Sequence, residues 1–357
     1  MGAAVSTCLL ATHQLQLLKA VELGDVHTIT EAVRRSPQVS FEPVFPGRNT
    51  LLHATSRYGQ TSILIALIAV ADELRTSWKP AGASRLRSSD WLKPFRCTSY
   101  ETPTPLERQP SSPPTPASPS FSAQQPSPAE SPATPSAPDD AAAGDGLPLT
   151  KALVNLVNAK GQSPLIIAAS RGHVDVVQLL LDMGADPLCV DSVEGCTALH
   201  YAAMYGHALV AHMLLSSPAA QGDDTCTNRL VDVLSHNGAA ALHYASDAGH
   251  HHLVKVLCDR GADLGRPIRP LRFQWLLIHY GSTPLHLAAE QGHLKVVVLL
   301  LRRSLQRNPQ GPNAPLPPEL DLRLVRDRAG MRPHQLPCRW PPPTHCPMTH
   351  RLSIIQY

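Results

Sequence analysis

Apolar residues in this chain fall into short blocks with helical spacing, and the same polar punctuation precedes each block. Val174, Val177, Leu180 and Leu181 form one block; Leu294, Val297, Leu300 and Leu301 form another. Spacings of three and four set such side chains on one face of a helix. A shorter phrase runs ahead of each. Gln162-Ser163-Pro164-Leu165 leads to Ala168-Ala169 and Gly172-His173, and Thr197-Ala198-Leu199-His200 to Ala202-Ala203 and Gly206-His207. Ala240-Ala241-Leu242-His243 leads to Ala245-Ser246 and Gly249-His250, and Thr283-Pro284-Leu285-His286 to Ala288-Ala289 and Gly292-His293. A Ser or Thr before a first-turn proline opens a helix. The alanine pair lets neighbouring helices come close, and the glycine ends the helix in a conformation that side chains disfavour. Gly184-Ala185-Asp186 and Gly261-Ala262-Asp263 end second helices in the same way. Helices this short are not stable alone, so the pattern predicts helix pairs that gain stability by stacking.

These phrases resemble the ankyrin repeat, whose consensus includes T-P-L-H-x-A with a period of about 33 residues. Leu165 and Leu199 are 34 positions apart, whereas Leu199 to Leu242 and Leu242 to Leu285 are each 43. The added residues fall between Leu215 and Ser235 and between Leu264 and Gly281, in connections where the family places its hairpins. Weaker copies precede these. Leu17-Leu18-Lys19-Ala20-Val21 with Gly24-Asp25 reads as a capping repeat. Asn49-Thr50-Leu51-Leu52-His53-Ala54 with Gly59 reads as a second, with Leu51 in the proline position and Arg48 where the hairpin glycine belongs. A seventh unit begins at Asp327, with Gly330 and Pro333. The resemblance implies an all-α ankyrin-repeat solenoid, helix–turn–helix repeats with β-hairpin loops, interrupted by a disordered Pro-rich insertion. The expected organisation is an N-terminal segment (1–12), N-terminal repeats (13–71), the insertion (72–149), the main repeats (150–330) and an irregular C-terminal tail (331–357).

The insertion rests on composition. Twelve prolines lie between Pro103 and Pro138 among Ser, Thr, Ala and Gln, too few apolar groups to offset ordering. Thr102, Thr104, Ser112, Thr115, Ser118, Ser127, Ser131 and Thr134 each precede proline, so the segment reads either as a regulatory docking stretch or as a passive linker. The N-terminus Met1-Gly2-Ala3-Ala4-Val5-Ser6 fits the N-myristoylation pattern, with Gly2 as acceptor and Cys8 available for palmitoylation. One myristoyl chain binds membranes marginally, and no basic residue precedes Lys19, so a second acyl chain would be needed.

The formal charge of +3 gives no ground for nucleic acid as a partner. The 8 cysteines form no C-x-x-C pair or regular framework, and Cys258 reads as a buried free thiol. That usage fits a reducing compartment, the cytoplasm, with membrane association if the N-terminus is lipidated. The longest apolar run, 63–71, ends at Asp72 and falls short of the ~20 residues needed to span a bilayer.

Catalytic signatures are missing from the sequence: no G-x-x-x-x-G-K, G-x-S-x-G or H-E-x-x-H occurs. Asp139-Asp140 and Asp223-Asp224 read as solvated loop acids. His53, His200, His243 and His286 recur at one repeat position and read as structural. Neither Cys338, His345, Cys346 and His350 nor His250-His251-His252 has the spacing of a zinc site. No metal, cofactor or small-molecule substrate is expected.

Within the family, one branch is more similar. Asp191-Ser192, Gly195, Thr197, Leu199-His200-Tyr201-Ala202-Ala203 and Tyr205-Gly206-His207 resemble a repeat of the plant-type ankyrin–RING ubiquitin ligases. So do the two long connections, Arg326-Asp327 with Gly330 and Pro333, and the Met-Gly start with Ser6 and Cys8. In that family the repeats select substrates and a C-terminal RING recruits the charged conjugating enzyme. The paired Cys/His knuckles of a RING do not occur after Pro333. The chain therefore reads either as a repeat-only relative or as one altered at its C-terminus, and in both cases as no ligase by itself.

The leading expectation is a protein-binding module. By resemblance, its hairpin tips are Ala159, Lys160 and Gln162; Val193, Glu194 and Cys196; His236, Asn237 and Ala239; and His279, Tyr280 and Ser282. The first-helix edge adds Ser170, Arg171, Met204, Tyr205, Asp247, Ala248, Glu290 and Gln291. The alternatives are the substrate arm of a ubiquitin ligase and a membrane-anchored scaffold. The scaffold reading has a direct check: Gly2→Ala should abolish incorporation of labelled myristate and release the protein from membranes. An unlabelled parent chain would remove this reading.

Overall fold

Short capped helices alternate along the chain in a two-layer stack. The computed structural model describes residues 14–36, 45–77, 98–99, 149–217, 230–269, 281–308 and 321–336. Helix α1 covers 14–23 and α2 Val26–Arg35. Then come α3 Leu51–Tyr58, α4 Thr61–Ser77, α5 Leu149–Val154, α6 Pro164–Arg171 and α7 Val174–Asp182. The series continues with α8 Ala198–Tyr205, α9 Ala208–Ser216, α10 Ala241–Asp247, α11 His251–Asp259, α12 Pro284–Glu290 and α13 Leu294–Gln306. First helices α3, α6, α8, α10 and α12 pack in sequence as one layer; second helices α4, α7, α9, α11 and α13 form the other. The repeats at either end of the Pro-rich insertion therefore adjoin, with α3 against α6 and α5 against α4.

Local chemistry explains each boundary. Ser163 caps α6 by accepting from the Ile166 amide, and Pro164 fills the first turn. Asp25 caps α2 through Thr28. Gly59, Gly172 and Gly206 end first helices at positive φ. The motif leucines Leu165, Leu199, Leu242 and Leu285 are buried in the seam between layers, as are Ala168, Ala202, Ala245 and Ala288. Burial of each leucine is worth about 1.5–3 kcal/mol.

Four features depart from the sequence reading. Helix α4 continues to Ser77, six residues into the span assigned to the insertion, because 72–77 contains no helix breaker. The pair Thr98–Ser99 forms an antiparallel bridge to Cys189–Val190, so a second piece of that span is ordered. Cys189 is disulfide-bonded, with its partner outside the described residues, whereas Cys196 and Cys258 are free and buried. At the C-terminal end, Asp327 and Met331 close a hairpin and Pro333–Gln335 forms a 3-10 turn against α12. The stacked structure thus runs past residue 330. The core of the Pro-rich segment (103–138), Gly2, Cys8, Cys338, His345, Cys346 and His350 lie outside the described residues.

The small-residue position three before each first-helix glycine carries an energetic signature. Ala169, Ala203 and Ala289 occupy it in three repeats, but Ser56 and Ser246 do so in two others. Both serine hydroxyls are buried with no hydrogen-bond partner. A buried unsatisfied polar group costs about 1–3 kcal/mol. Ser246→Ala should therefore raise the urea midpoint, whereas Leu199→Ala should cost ~2–5 kcal/mol by opening a cavity in the seam. Equilibrium unfolding of the two variants checks both signs.

Candidate functional site

Hairpins project from one edge of the stack and are zipped to one another by backbone. Each closes on itself: the Asn158 amide donates to Gln162 O at 3.1 Å, Asp191 to Cys196 O at 3.1 Å and Ser235 to Ala239 O at 3.0 Å. Successive tips are then joined, Ala159 N–H to Gly47 O at 2.8 Å, Ser192 to Lys160 O at 2.9 Å and His236 to Glu194 O at 2.7 Å. Glycine is needed at the turn for two reasons. Gly238 has φ of 74°, and a Cβ there would sit 1.8 Å from the Arg269 carbonyl oxygen. Arg48 takes the equivalent turn with φ of 59°, the one positive-φ non-glycine among the described residues. An L-residue there stores about 1–2 kcal/mol.

A buried polar cluster fixes the tip at Val193-Glu194. Asp191, only 2% exposed, accepts from the Cys196 amide at 2.6 Å, the Tyr201 hydroxyl at 3.0 Å and the Glu194 amide at 3.4 Å. Gln162 Nε2 donates to the Tyr201 oxygen at 3.3 Å, which ties this tip to its neighbour. One repeat on, Tyr244 donates to Ser235 Oγ at 3.1 Å. Burial pushes both tyrosine hydroxyls well above their usual range. Neither Asp191 nor these tyrosines figured among the expected site residues. The signal for them was an aspartate at the hairpin paired with the tyrosine after the motif histidine.

The tips and first-helix ends present a mixed surface. Lys160, Arg171 and Glu194 are exposed, as are Val193 at 63% and Tyr205 at 58%. Gln162, Ser170, Met204, His236, Asn237, Asp247, Glu290 and Gln291 are half-buried along the same edge. Ser170 spends its hydroxyl on Ile167 O at 2.8 Å, and Gln291 donates to Asp247 Oδ1 at 3.1 Å. Three expected tip residues turn inward: Ser282, Cys196 and Ala239 are buried. All three stand just before the N-cap of a first helix, where the chain turns back into the stack and the N-caps Thr197, Ala240 and Thr283 are buried as well. Tyr280 and His279 lie outside the described residues.

The motif histidines are saturated and neutral. The Nδ1 atoms of His53, His200, His243 and His286 accept the N-cap amides of Thr50, Thr197, Ala240 and Thr283 at 3.1–3.3 Å. Their Nε2 atoms face carbonyls, which only accept, so Nε2 carries the proton. It donates to Gln162, Val233, Arg266 and Met331 in the following repeat, at 2.8–3.2 Å. Burial lowers the pKa of His53, His200 and His243 to about 4, and it lowers that of His286 as well. With both nitrogens engaged, these rings hold the stack and offer no free base.

Comparison with known proteins agrees with this geometry. Residues 140–224 and 218–311 match the family described as "Ankyrin repeats (3 copies)". The "Probable E3 ubiquitin-protein ligase XBOS31" of Oryza sativa subsp. japonica is 44% identical over 70 residues, 19% of this chain and 16% of that protein. "Ankyrin repeat and SAM domain-containing protein 6" of Mus musculus is 46% identical over 66 residues, 18% of this chain and 8% of that protein. "Ankyrin repeat domain-containing protein 63" of Homo sapiens is 41% identical over 66 residues, 18% of this chain and 17% of that protein. The chain thus spans less than a fifth of each relative.

The buried histidines generate a pH dependence. Their folded pKa lies below the unfolded value near 6.5, so the unfolded chain binds more protons between pH 6.5 and about 4. Stability is full above that window and falls as pH drops through it, by ~1.4 kcal/mol per pH unit for each histidine. Urea midpoints measured from pH 7 to 4 should decline. His243→Asn should flatten the decline by about one proton.

Proposed function

We propose that the chain, which is an ankyrin repeat protein, holds a partner protein against its hairpin tips and first-helix edge and performs no chemistry of its own. The observation that carries this is the pairing of exposed side chains with an over-determined scaffold. Val193, Glu194, Lys160 and Tyr205 are exposed, while the backbone beneath them is fixed by tip-to-tip bonds and the Asp191 cluster. A large aromatic and an aliphatic group held rigidly at the surface lose little freedom on binding, which is how a surface of moderate area reaches useful affinity. The mixture of acids, bases and an aromatic suits a protein surface more than a phosphate backbone.

A second reading is that this surface selects substrates for ubiquitination. It is favoured by the similarity of one stretch to a rice protein named as a probable E3 ubiquitin-protein ligase. On this reading the chain supplies recognition, and transfer requires Cys/His knuckles supplied elsewhere.

Both readings place the contact at the tips. Lys160→Glu combined with Glu194→Lys should weaken capture of a specific partner from extract by about tenfold while leaving the melting temperature unchanged. Equal recovery by parent and variant would exclude these tips. Adding charged conjugating enzyme to the complex recovered from extract separates the two readings: the second expects a co-purified protein with Cys/His knuckles to transfer ubiquitin to the bound partner, and the first expects no ubiquitin chains.

A further inference from the structure

The first-helix edge is sorted by charge along the stack. Aligned on the glycine that ends each first helix or the position equivalent to it, the preceding two residues are Glu22-Leu23, Arg57-Tyr58, Ser170-Arg171, Met204-Tyr205, Asp247-Ala248 and Glu290-Gln291. Successive pairs are neighbours in space, because α3, α6, α8, α10 and α12 pack in that order. From α3 to α12 the edge therefore passes from cationic, through aromatic, to anionic. Arg57 and Arg171 are both exposed, and neither guanidinium has an ion-pair partner among the described residues. Glu22, at the equivalent position of α1, is an exposed acid at this end; it interacts with the neutral Tyr58 hydroxyl and forms no ion pair with either arginine among the described residues. At the other end, Asp247 accepts only a neutral amide, from Gln291, so its charge is not cancelled by that contact. Tyr205 stands between them, 58% exposed.

We infer that this edge takes an extended peptide segment of the partner that carries a carboxylate toward Arg57 and Arg171, an apolar side chain against Tyr205 and a cation toward Asp247. The inference rests on the partner-binding reading and specifies the chemistry of what is bound. Helices in contact lie about 8–10 Å apart. Arg171 and Asp247 are two helix spacings apart, so their separation is about 16–20 Å. An extended chain advances about 3.3 Å per residue, which places the acid and the base of the ligand about six residues apart, with the apolar residue midway. Opposed charges at the two ends also set register and disfavour peptides of uniform sign.

A displayed library of random peptides about 16 residues long, selected on the full chain at low salt, tests this. Enriched peptides should carry Asp or Glu and Lys or Arg about six residues apart. Arg57→Glu with Arg171→Glu should weaken those peptides about tenfold and redirect selection to peptides basic at both ends. Asp247→Lys should redirect it to peptides acidic at both ends. Arg57 and Arg171 are exposed, and Asp247 is half-buried outside the core; unchanged melting of each variant confirms that the stack is intact. Enriched peptides whose charge pattern ignores Asp247→Lys would overturn the inference while leaving the binding reading standing. So would tighter binding of a single-stranded RNA, lost on Arg57→Glu with Arg171→Glu and indifferent to Asp247→Lys. Failure to enrich any peptide would also overturn it, and partner capture with the Lys160 and Glu194 reversals judges the broader reading separately.

Discussion

An imidazole held between two repeats is the contact on which the stack depends. Histidines of the first helices donate forward: His53 to Gln162 O, His200 to Val233 O, His243 to Arg266 O and His286 to Met331 O. Histidines that open the second helices donate backward: His173 to Arg57 O, His207 to Ser170 O, His250 to Met204 O and His293 to Asp247 O. The backward rings need room that only glycine leaves. A Cβ at Gly172 would lie 2.5 Å from His207 Nδ1, and one at Gly206 2.6 Å from His250 Nδ1. The leucine-histidine phrase and the glycine-histidine phrase are thus two halves of one constraint. Helices of seven to nine residues such as α10 and α11 gain their stability from these shared bonds and the seam they close.

From α3 to α12 the forward ladder has one gap, and the gap falls beneath the candidate binding tip. Ile166 stands where the other repeats have histidine, so the joint from α6 to α8 has no forward imidazole bond. Gln162, Tyr201 and Asp191 bridge that joint instead. A buried carboxylate is costly unless donors surround it, and Asp191 has three. The substitute link lies at the hairpins rather than within the helix layer. That makes the Val193-Glu194 tip one of the best-anchored parts of the edge, which is the condition for presenting exposed side chains at low entropic cost.

The repeat order, the leucines and the turns were legible because each follows from a local backbone requirement. Even Arg48 was marked by its position in the glycine slot, and its φ of 59° confirms the turn. Orientation within hairpins was less legible. Ser282, Cys196 and Ala239 immediately precede first-helix N-caps, where the chain re-enters the stack, and the sequence does not say where a tip ends and that re-entry begins. The Asp191–Tyr201 pair was hidden for another reason: its members are ten positions apart and meet only once the hairpin folds over its helix. The charge gradient on the first-helix edge could be read once the repeats were aligned, but its continuity needs the stacking order of the helices.

The long connections raise the question of what keeps the stack in register across them. Two arginines at second-helix ends answer it. Arg260, which caps α11, donates to Leu215 O and Ser216 Oγ at the end of α9, just before the connection that carries 218–229. Arg307, which caps α13, donates to Cys258 O and Ala262 O at 2.8 Å, before the connection that carries 270–280. Each guanidinium donates to carbonyls at or just past a helix end and complements their partial negative charge. Hydrogen bonds to a charged group are worth about 1.5–3 kcal/mol, whereas doubling a loop costs only about 0.6 kcal/mol in closure entropy. The clamps outweigh the extra chain, so the second-helix layer stays continuous where the connections are long. The same inequality lets the repeats on either side of the Pro-rich segment meet: α5 packs on α4, and His53 reaches Gln162 across 109 positions of sequence.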